Sequence, residues 1–327
     1  MDVPKRRAPN IRDVARAAGV SYQTVSRALN DSPAIRESTR TKVLAAIGEL
    51  GYRPNSAARA LATSRSKTIG VLSSQSGLYG PTTSIQTIEA AARLGGYRLS
   101  VTNITTGDYE SMRAGLDFLL DQSIDALVVL APQDGIYKAL RELSIGVPYV
   151  TLEATGLDPQ RSVSIDQTHG GRLATRHLIG LGHEQIAYIS GPSDWIEAQA
   201  RYVGYREEML QAGLQPRECL FGDWTAATGH QIGMNLLKDR DFTAIFCGND
   251  QTALGFLHAC RDVGVSVPGD ISVVGFDDIP EAAHFAPALT TVRQNFVEIG
   301  RRAIALLLSE LAGTDKLSHE PIAPELV

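Results

Sequence analysis

The stretch Ser21-Tyr22-Gln23-Thr24-Val25-Ser26-Arg27-Ala28-Leu29 constrains this chain more than any other. On a helical period, Tyr22, Gln23, Ser26 and Arg27 share one face, while Val25 and Leu29 lie on the opposite one. The apolar face can pack. The polar face carries a phenol, a carboxamide and a guanidinium fork, groups able to hydrogen-bond the edges of bases. Ser21 is placed to cap the helix by accepting a bond from a free backbone N–H. Upstream, Ile11, Val14, Ala15 and Ala18 recur at i, i+3, i+4 and i+7, an earlier amphipathic helix. Gly19-Val20 leaves room only for a tight turn between the two. This is the pattern of a helix-turn-helix, whose second helix enters a DNA groove.

A loop at Asn30-Asp31-Ser32-Pro33 precedes a third helix, expected from about Arg36 to Leu50. Val43, Ile47 and Leu50 form its apolar stripe, Gly51 sits where a left-handed terminating residue is expected, and Pro54 prevents continuation. The alanine-rich Asn55–Ala62 reads either as a linker or as a two-turn helix that forms only when docked. Charge supports a nucleic-acid role for this head alone. Residues 1–65 hold 12 Lys+Arg against 5 Asp+Glu, whereas the remainder holds 19 against 31.

From Lys67 short apolar runs alternate with helical periods. Strands are expected at Thr68–Ser73, Tyr97–Asn103, Asp125–Leu130 and Val147–Leu152. Helices are expected between them, at about Pro81–Leu94, Asp108–Leu120 and near Gly135–Leu143. The pattern restarts at Ser162–Asp166 and continues through Gln185–Ser190, Leu220–Gly222, Thr243–Cys247 and Ile271–Gly275. Repeated β-α-β implies parallel sheets with helices on both faces. Two such halves make two lobes, with Thr290–Asn295 running on from the second and the helix Val297–Leu311 returning to the first. The expected architecture is an all-α head on an α/β core. Its parts are residues 1–54 as the DNA-binding domain, 55–66 as hinge and linker, and 67–327 as the core. The first lobe takes about 67–164 and 295–315, and the second about 165–294 and 316–327.

A ligand cleft belongs between the lobes, at the carboxyl ends of the strands. Asn249 and Asp250, and Asp277 and Asp278, lie just beyond expected strand ends, Arg201 follows the loop Gly191-Pro192-Ser193-Asp194 early in the next helix, and Trp224 ends a strand in Gly222-Asp223-Trp224. Paired donors and acceptors beside an indole suit a sugar, whose ring has polar edges and an apolar face. Taken singly, Asp277 could cap a turn, Arg201 could make a surface ion pair and Trp224 could be core. Enzyme signatures are missing: there is no P-loop, no G-x-S-x-G, no G-x-G-x-x-G after a strand, and His183-Glu184 lacks the second histidine of H-E-x-x-H. The seven histidines are dispersed and read as surface or packing residues, so no catalytic group, metal or cofactor is expected. No apolar run reaches the ~18 residues of a membrane span. The N-terminus lacks the apolar stretch of a signal peptide, and Cys219, Cys247 and Cys260 have no pairing pattern, which together lead us to expect a cytoplasmic protein with reduced thiols.

The chain resembles the lactose-repressor/galactose-repressor family of bacterial regulators. The pieces that carry this are Ile11-Arg12-Asp13-Val14-Ala15, Gly19-Val20-Ser21, Thr24-Val25-Ser26-Arg27, Gly51-Tyr52-Arg53-Pro54-Asn55, Gly182-His183, Asn249-Asp250, Asp270 to Asp278 and Leu289-Thr290-Thr291-Val292. The resemblance implies a periplasmic-binding-protein-like core and a homodimer on a pseudo-palindromic operator in double-stranded DNA. Tyr22, Gln23 and Arg27 match base-reading positions. Ser21, Thr24, Ser26 and Asn30 match backbone or edge contacts, Asn55 at the start of the hinge is counted among the DNA-binding residues, and Leu61 matches the residue that intercalates at the operator centre. Effector contacts carry over to Arg201, Trp224, Asn249, Asp277, Gln294 and Phe296, and in the first lobe to Ser73, Leu78, Tyr79 and Pro81. Two positions depart from the sugar-binding pattern: Glu153 stands where an aspartate is expected, and Leu130 where a polar residue would help the ligand. The chain ends at Val327 without a leucine-heptad helix that would join dimers into tetramers, so a dimer is expected. The implied function is a repressor whose operator affinity falls when a small sugar, a galactoside or another glycoside, binds between the lobes. The alternative is a co-repressor response to a purine or a sugar phosphate.

Overall fold

The computed structural model describes residues 7, 9–29, 34–53, 65–74, 77–104, 108–130, 133, 136, 140, 142–143, 145–152, 160–314 and 320–327. Asn30, Asn55, Leu61 and Glu153 lie outside them, as do most of the hinge and much of the helix expected near Gly135–Leu143. The chain separates into two compact units, Met1–Ser66 and Lys67–Val327.

The first unit contains α1 (Ile11–Ala17), α2 (Tyr22–Leu29) and α3 (Glu37–Leu50). Asn10 caps α1 by accepting the Arg12 and Asp13 amides, and Asp13 returns a bond to the Asn10 amide at 2.9 Å, so two otherwise unpaired ends are satisfied reciprocally. That amide bond is the first cause holding the Asp13 carboxyl below its usual range, with Arg7 adding to it. Ser21 caps α2 through the Thr24 amide at 3.1 Å, as expected. Gly19 and Gly51 both take left-handed backbone, Gly51 closing α3. The core is built from Val14, Ala15, Val25, Ala28, Val43 and Ala46. The stripe of α3 therefore runs through Ala46 as well as Val43 and Ile47, and Leu50 is left 36% exposed. With so few large side chains the bundle buries little apolar area, the regime in which small domains are marginal.

The second unit holds two parallel sheets. The first has the order β2-β1-β3-β4-β5, from β1 (Thr68–Ser74), β2 (Arg98–Ile104), β3 (Ala126–Leu130), β4 (Tyr149–Leu152) and β5 (Ser162–Val163). Its central strands are buried on both faces, which is why β1 and β3 read as unbroken apolar runs. One face packs on α4 (Tyr79–Leu94) and α10 (Phe296–Ala312), the other on α5 (Tyr109–Asp121). The last long helix thus returns to the first sheet, as its apolar spacing implies. The second sheet has the order β7-β6-β8-β9, from β6 (Ile186–Ser190), β7 (Leu220–Phe221), β8 (Ala244–Cys247) and β9 (Ser272–Val274). It lies between α6 (Gln167–Gly180) with α7 (Ile196–Gln211) on one side and α8 (Ala226–Leu236) with α9 (Asp250–Val263) on the other. The Thr290–Asn295 segment does not extend this sheet as a full strand. Its β10 (Val292–Arg293) instead pairs antiparallel with β11 (Glu325–Leu326), touching the sheet's end only through isolated bridges at Thr290 and Arg293. The three cysteines are unpaired, and burial pushes each thiol above its usual range, which suits inert packing residues.

Candidate functional site

The exposed face of α2 presents the side chains expected there. Tyr22 is 52% exposed, Gln23, Arg27 and Ser21 are exposed, and Thr24 and Ser26 are half-buried. Val25 and Ala28 hold the opposite face in the core.

The second site is a cavity of about 770 Å³, open water included, within the second unit. Leu78, Tyr79, Pro81, Leu130, Leu152, Phe296 and Ile299 line it from the side of the first sheet. Trp195, Glu197, Arg201, Trp224, Asn249 and Asp277 line it from the side of the second, with Gln167 and Gln294 between them. Nine of the ten residues carried over for effector contact are among the lining residues. Ser73 is not: it is fully buried in β1, with its hydroxyl on the Ser74 carbonyl. Trp224 does not end a strand as expected; β7 stops at Phe221, and Trp224 sits in a turn with φ of 71°.

Four buried polar side chains form a closed circuit at one end of the cavity. Arg201 Nε donates to Gln167 Oε1 at 2.8 Å, Gln167 Nε2 to Gln294 Oε1 at 2.7 Å, and Gln294 Nε2 to Asp277 Oδ1 at 2.6 Å. Asp277 Oδ1 then stands 3.7 Å from the Arg201 guanidinium. Arg201 also donates to the Gly248 carbonyl at 2.6 Å, and lies over the Phe276 ring at 3.8 Å and the Trp224 ring at 5.4 Å. Such a cation is held by hydrogen bonds and ring faces together. Burial raises the Asp277 carboxyl to about 6, against the opposing pull of Arg201 and of the Gln294 bond. Asp278, its neighbour, points elsewhere and pairs with Arg293 at 2.6 Å. Behind the circuit, Asp250 accepts the Ile279 amide at 2.8 Å and the Thr291 hydroxyl at 2.6 Å, and burial, then the Asp277 charge, raises it to about 7.

Asn249 caps α9 through its Oδ1 and donates from Nδ2 to the Trp224 carbonyl at 3.1 Å, so one residue fixes both a helix start and the backbone of the indole. Trp224 packs edge-on against Trp195, with centroids 5.5 Å apart. Its ring lies against Gly191, where a β-carbon would overlap the indole, so only glycine admits the ring there. Gln167, Trp195 and Glu197 were not singled out from sequence. Gln167 could have been, because it follows Asp166 just past a strand end, the same signal that marked Asn249.

Two family models match the chain. Residues 10–55 match the model for bacterial regulatory proteins of the lacI family, and residues 175–327 the periplasmic binding protein-like domain. The lactose operon repressor of Escherichia coli (strain K12) is 36% identical over 319 residues, covering 96% of this chain and 88% of that protein. The chain belongs to the lacI family. It is a helix-turn-helix, DNA-binding transcriptional repressor of that family. A PurR repressor of Glaesserella parasuis serovar 5 (strain SH0165) is 34% identical over 321 residues, covering 97% of this chain and 94% of that protein. Among solved structures, a lac repressor dimer bound to operator and the anti-inducer ONPF superposes with a TM-score of 0.89 at 34% identity, over 98% of each chain. The transcriptional regulator CelR in complex with cellobiose gives 0.73 at 31% identity, again over 98% of each chain. No helix among the described residues is long and apolar enough to cross a membrane.

Proposed function

We propose that this repressor answers to a neutral sugar bound in the cavity, and that the sugar weakens its hold on operator DNA. The observation that carries the reading is the Arg201–Gln167–Gln294–Asp277 circuit. Its positive and negative groups already balance each other. A phosphate or carboxylate ligand would bring a second anion beside Asp277, whereas hydroxyls can both donate to the carboxylate and accept from the guanidinium. Trp195 and Trp224 supply the apolar wall for a sugar ring face. Leu130 and the apolar side formed by Leu152, Phe296 and Ile299 favour a glycoside with an apolar or ring-stacking aglycone over a free, fully hydroxylated sugar.

In this reading α2 reads the major groove through Tyr22, Gln23 and Arg27, with Ser21, Thr24, Ser26 and Asn30 on the backbone or base edges. The chain acts as a homodimer on a pseudo-palindrome, in keeping with the operator-bound dimer of the lac repressor. Asn55 and Leu61 belong to the hinge that the bound DNA orders, and effector binding biases that hinge against pairing. The protein carries out no turnover. The second reading is a purine co-repressor, favoured by the PurR relatives and by the Tyr79–Phe296 edge-on pair, 5.9 Å between centroids, on the cavity wall. A thermal-shift panel of galactosides, glucosides, pentoses and purines, followed by a gel shift, separates the two. A stabilising glycoside that releases DNA upholds the first, while a purine that tightens DNA binding replaces it with the second.

A further inference from the structure

The dispersed histidines are not all dispersed in space. His230 on α8 and His258 on α9 lie with ring centroids 4.6 Å apart, and Asp262, one turn beyond His258, reaches both. Its Oδ2 is 2.8 Å from His230 Nε2 and its Oδ1 3.4 Å from His258 Nε2. One ligand atom from each of the three falls within 4.8 Å of the others. The cause is a backbone contact. A β-carbon on Gly255 would overlap the Ala226 carbonyl, and one on Gly229 the Thr252 carbonyl, so glycines let α8 and α9 touch along the turns that carry these side chains.

We propose that His230, His258 and Asp262 bind one divalent transition-metal ion of the zinc class. Two imidazoles and a carboxylate are borderline ligands that suit Zn²⁺ and not Ca²⁺ or Mg²⁺, which prefer all-oxygen sets. A tetrahedral ion with bonds of about 2.0–2.1 Å needs its ligand atoms about 3.3 Å apart. The spacings to the two Asp262 oxygens, 2.8 Å and 3.4 Å, bracket that value, and one ligand atom from each residue lies within 4.8 Å of the others. The exposed edge leaves the fourth position to water. Arg261 lines the same shallow depression and opposes the cation, but it is exposed and screened by water. The ion would tie α8 to α9. Trp224 immediately precedes the Thr225 cap of α8 and Asn249 caps α9, so the tie joins two helices whose leading ends flank the cavity.

The test is calorimetric titration of the chelator-treated full chain with Zn²⁺, and visible absorption of the same protein with Co²⁺. One ion per chain is expected. His230→Ala and His258→Gln should each weaken it at least tenfold and remove the Co²⁺ bands, as loss of a ligand costs at least what loss of an outer partner does. Circular dichroism confirms that both variants stay folded. Absent saturable binding overturns the assignment, and so does binding left equally tight in both variants, which would place the ion on the thiols.

Discussion

Replacing Asp277 with Asn tests the circuit with almost no change in shape. Both partners of the Arg201–Asp277 pair are under a tenth exposed. Removing one partner of a buried pair costs about 3–5 kcal/mol, chiefly through the charge left behind. Here the loss belongs at or below the lower end. Arg201 keeps the Gln167 and Gly248 bonds and the Phe276 face, and the variant also sheds a carboxylate that burial already raises to about 6. We expect about 2–3 kcal/mol of lost core stability at pH 7 in urea titration. Effector binding falls separately. A hydrogen bond to a charged group contributes about 1.5–3 kcal/mol and a neutral one about 0.5–1.5. Two sugar hydroxyls on this carboxylate therefore lose about 2 kcal/mol together, close to thirtyfold in Kd. Calorimetry with the tightest glycoside of the panel measures it, and operator affinity without effector should stay within about twofold. A folded Asp277→Asn protein that binds the glycoside as tightly as the parent would refute the placement of the ligand on this circuit.

Gln23→Ala should cost about 1–3 kcal/mol of discrimination at one base step and leave the effector affinity untouched, read by gel shifts on an operator-variant set; equal loss on all sequences would assign Gln23 to the backbone instead. The buried carboxylates set a pH trend. Asp250 and Asp277 hold their protons more tightly folded, at about 7 and about 6, than unfolded, near 3.8. Their contribution is therefore full below pH 4 and lost as pH rises through 6 and 7. The urea midpoint of the core should fall between pH 5 and pH 8, and Asp250→Asn should flatten that slope; an unchanged slope would mean that another group carries it.

What the sequence made legible follows from the range over which each signal acts. Helical period, caps and strand composition are local, so the helix-turn-helix and most strands sit within a residue or two of where they were expected. Asn249 and Asp277 were found because a polar side chain just past an apolar strand is itself a local pattern, and Arg201 because it stands early in the helix after such a strand and its loop. Their contacts with one another were not: Gln294 entered only through the family resemblance, and Gln167 not at all. Gln294 meets Gln167 across 127 positions, and Arg201 meets Gln167 across 34, so nothing in the spacing announces that they close one ring. Ser73 shows the opposite failure: it has the right type at a strand end, yet its side chain turns to its own backbone and leaves the cavity to others.

His230 and Asp262 illustrate the same limit outside the cavity. They are 32 positions apart, and no short spacing in the sequence joins them. What brings them together is the absence of side chains at Gly229 and Gly255, where a β-carbon would meet the facing backbone of Thr252 and of Ala226. A glycine inside a helix lowers its propensity and, at a crossing, lets two backbones meet. Once the meeting is given, the helical period does the rest, since His258 and Asp262 at i and i+4 must share the face turned to α8. The proposed ligand set is therefore fixed by where α8 and α9 touch, a contact that the helical glycines permit and that the spacing of the histidines does not announce.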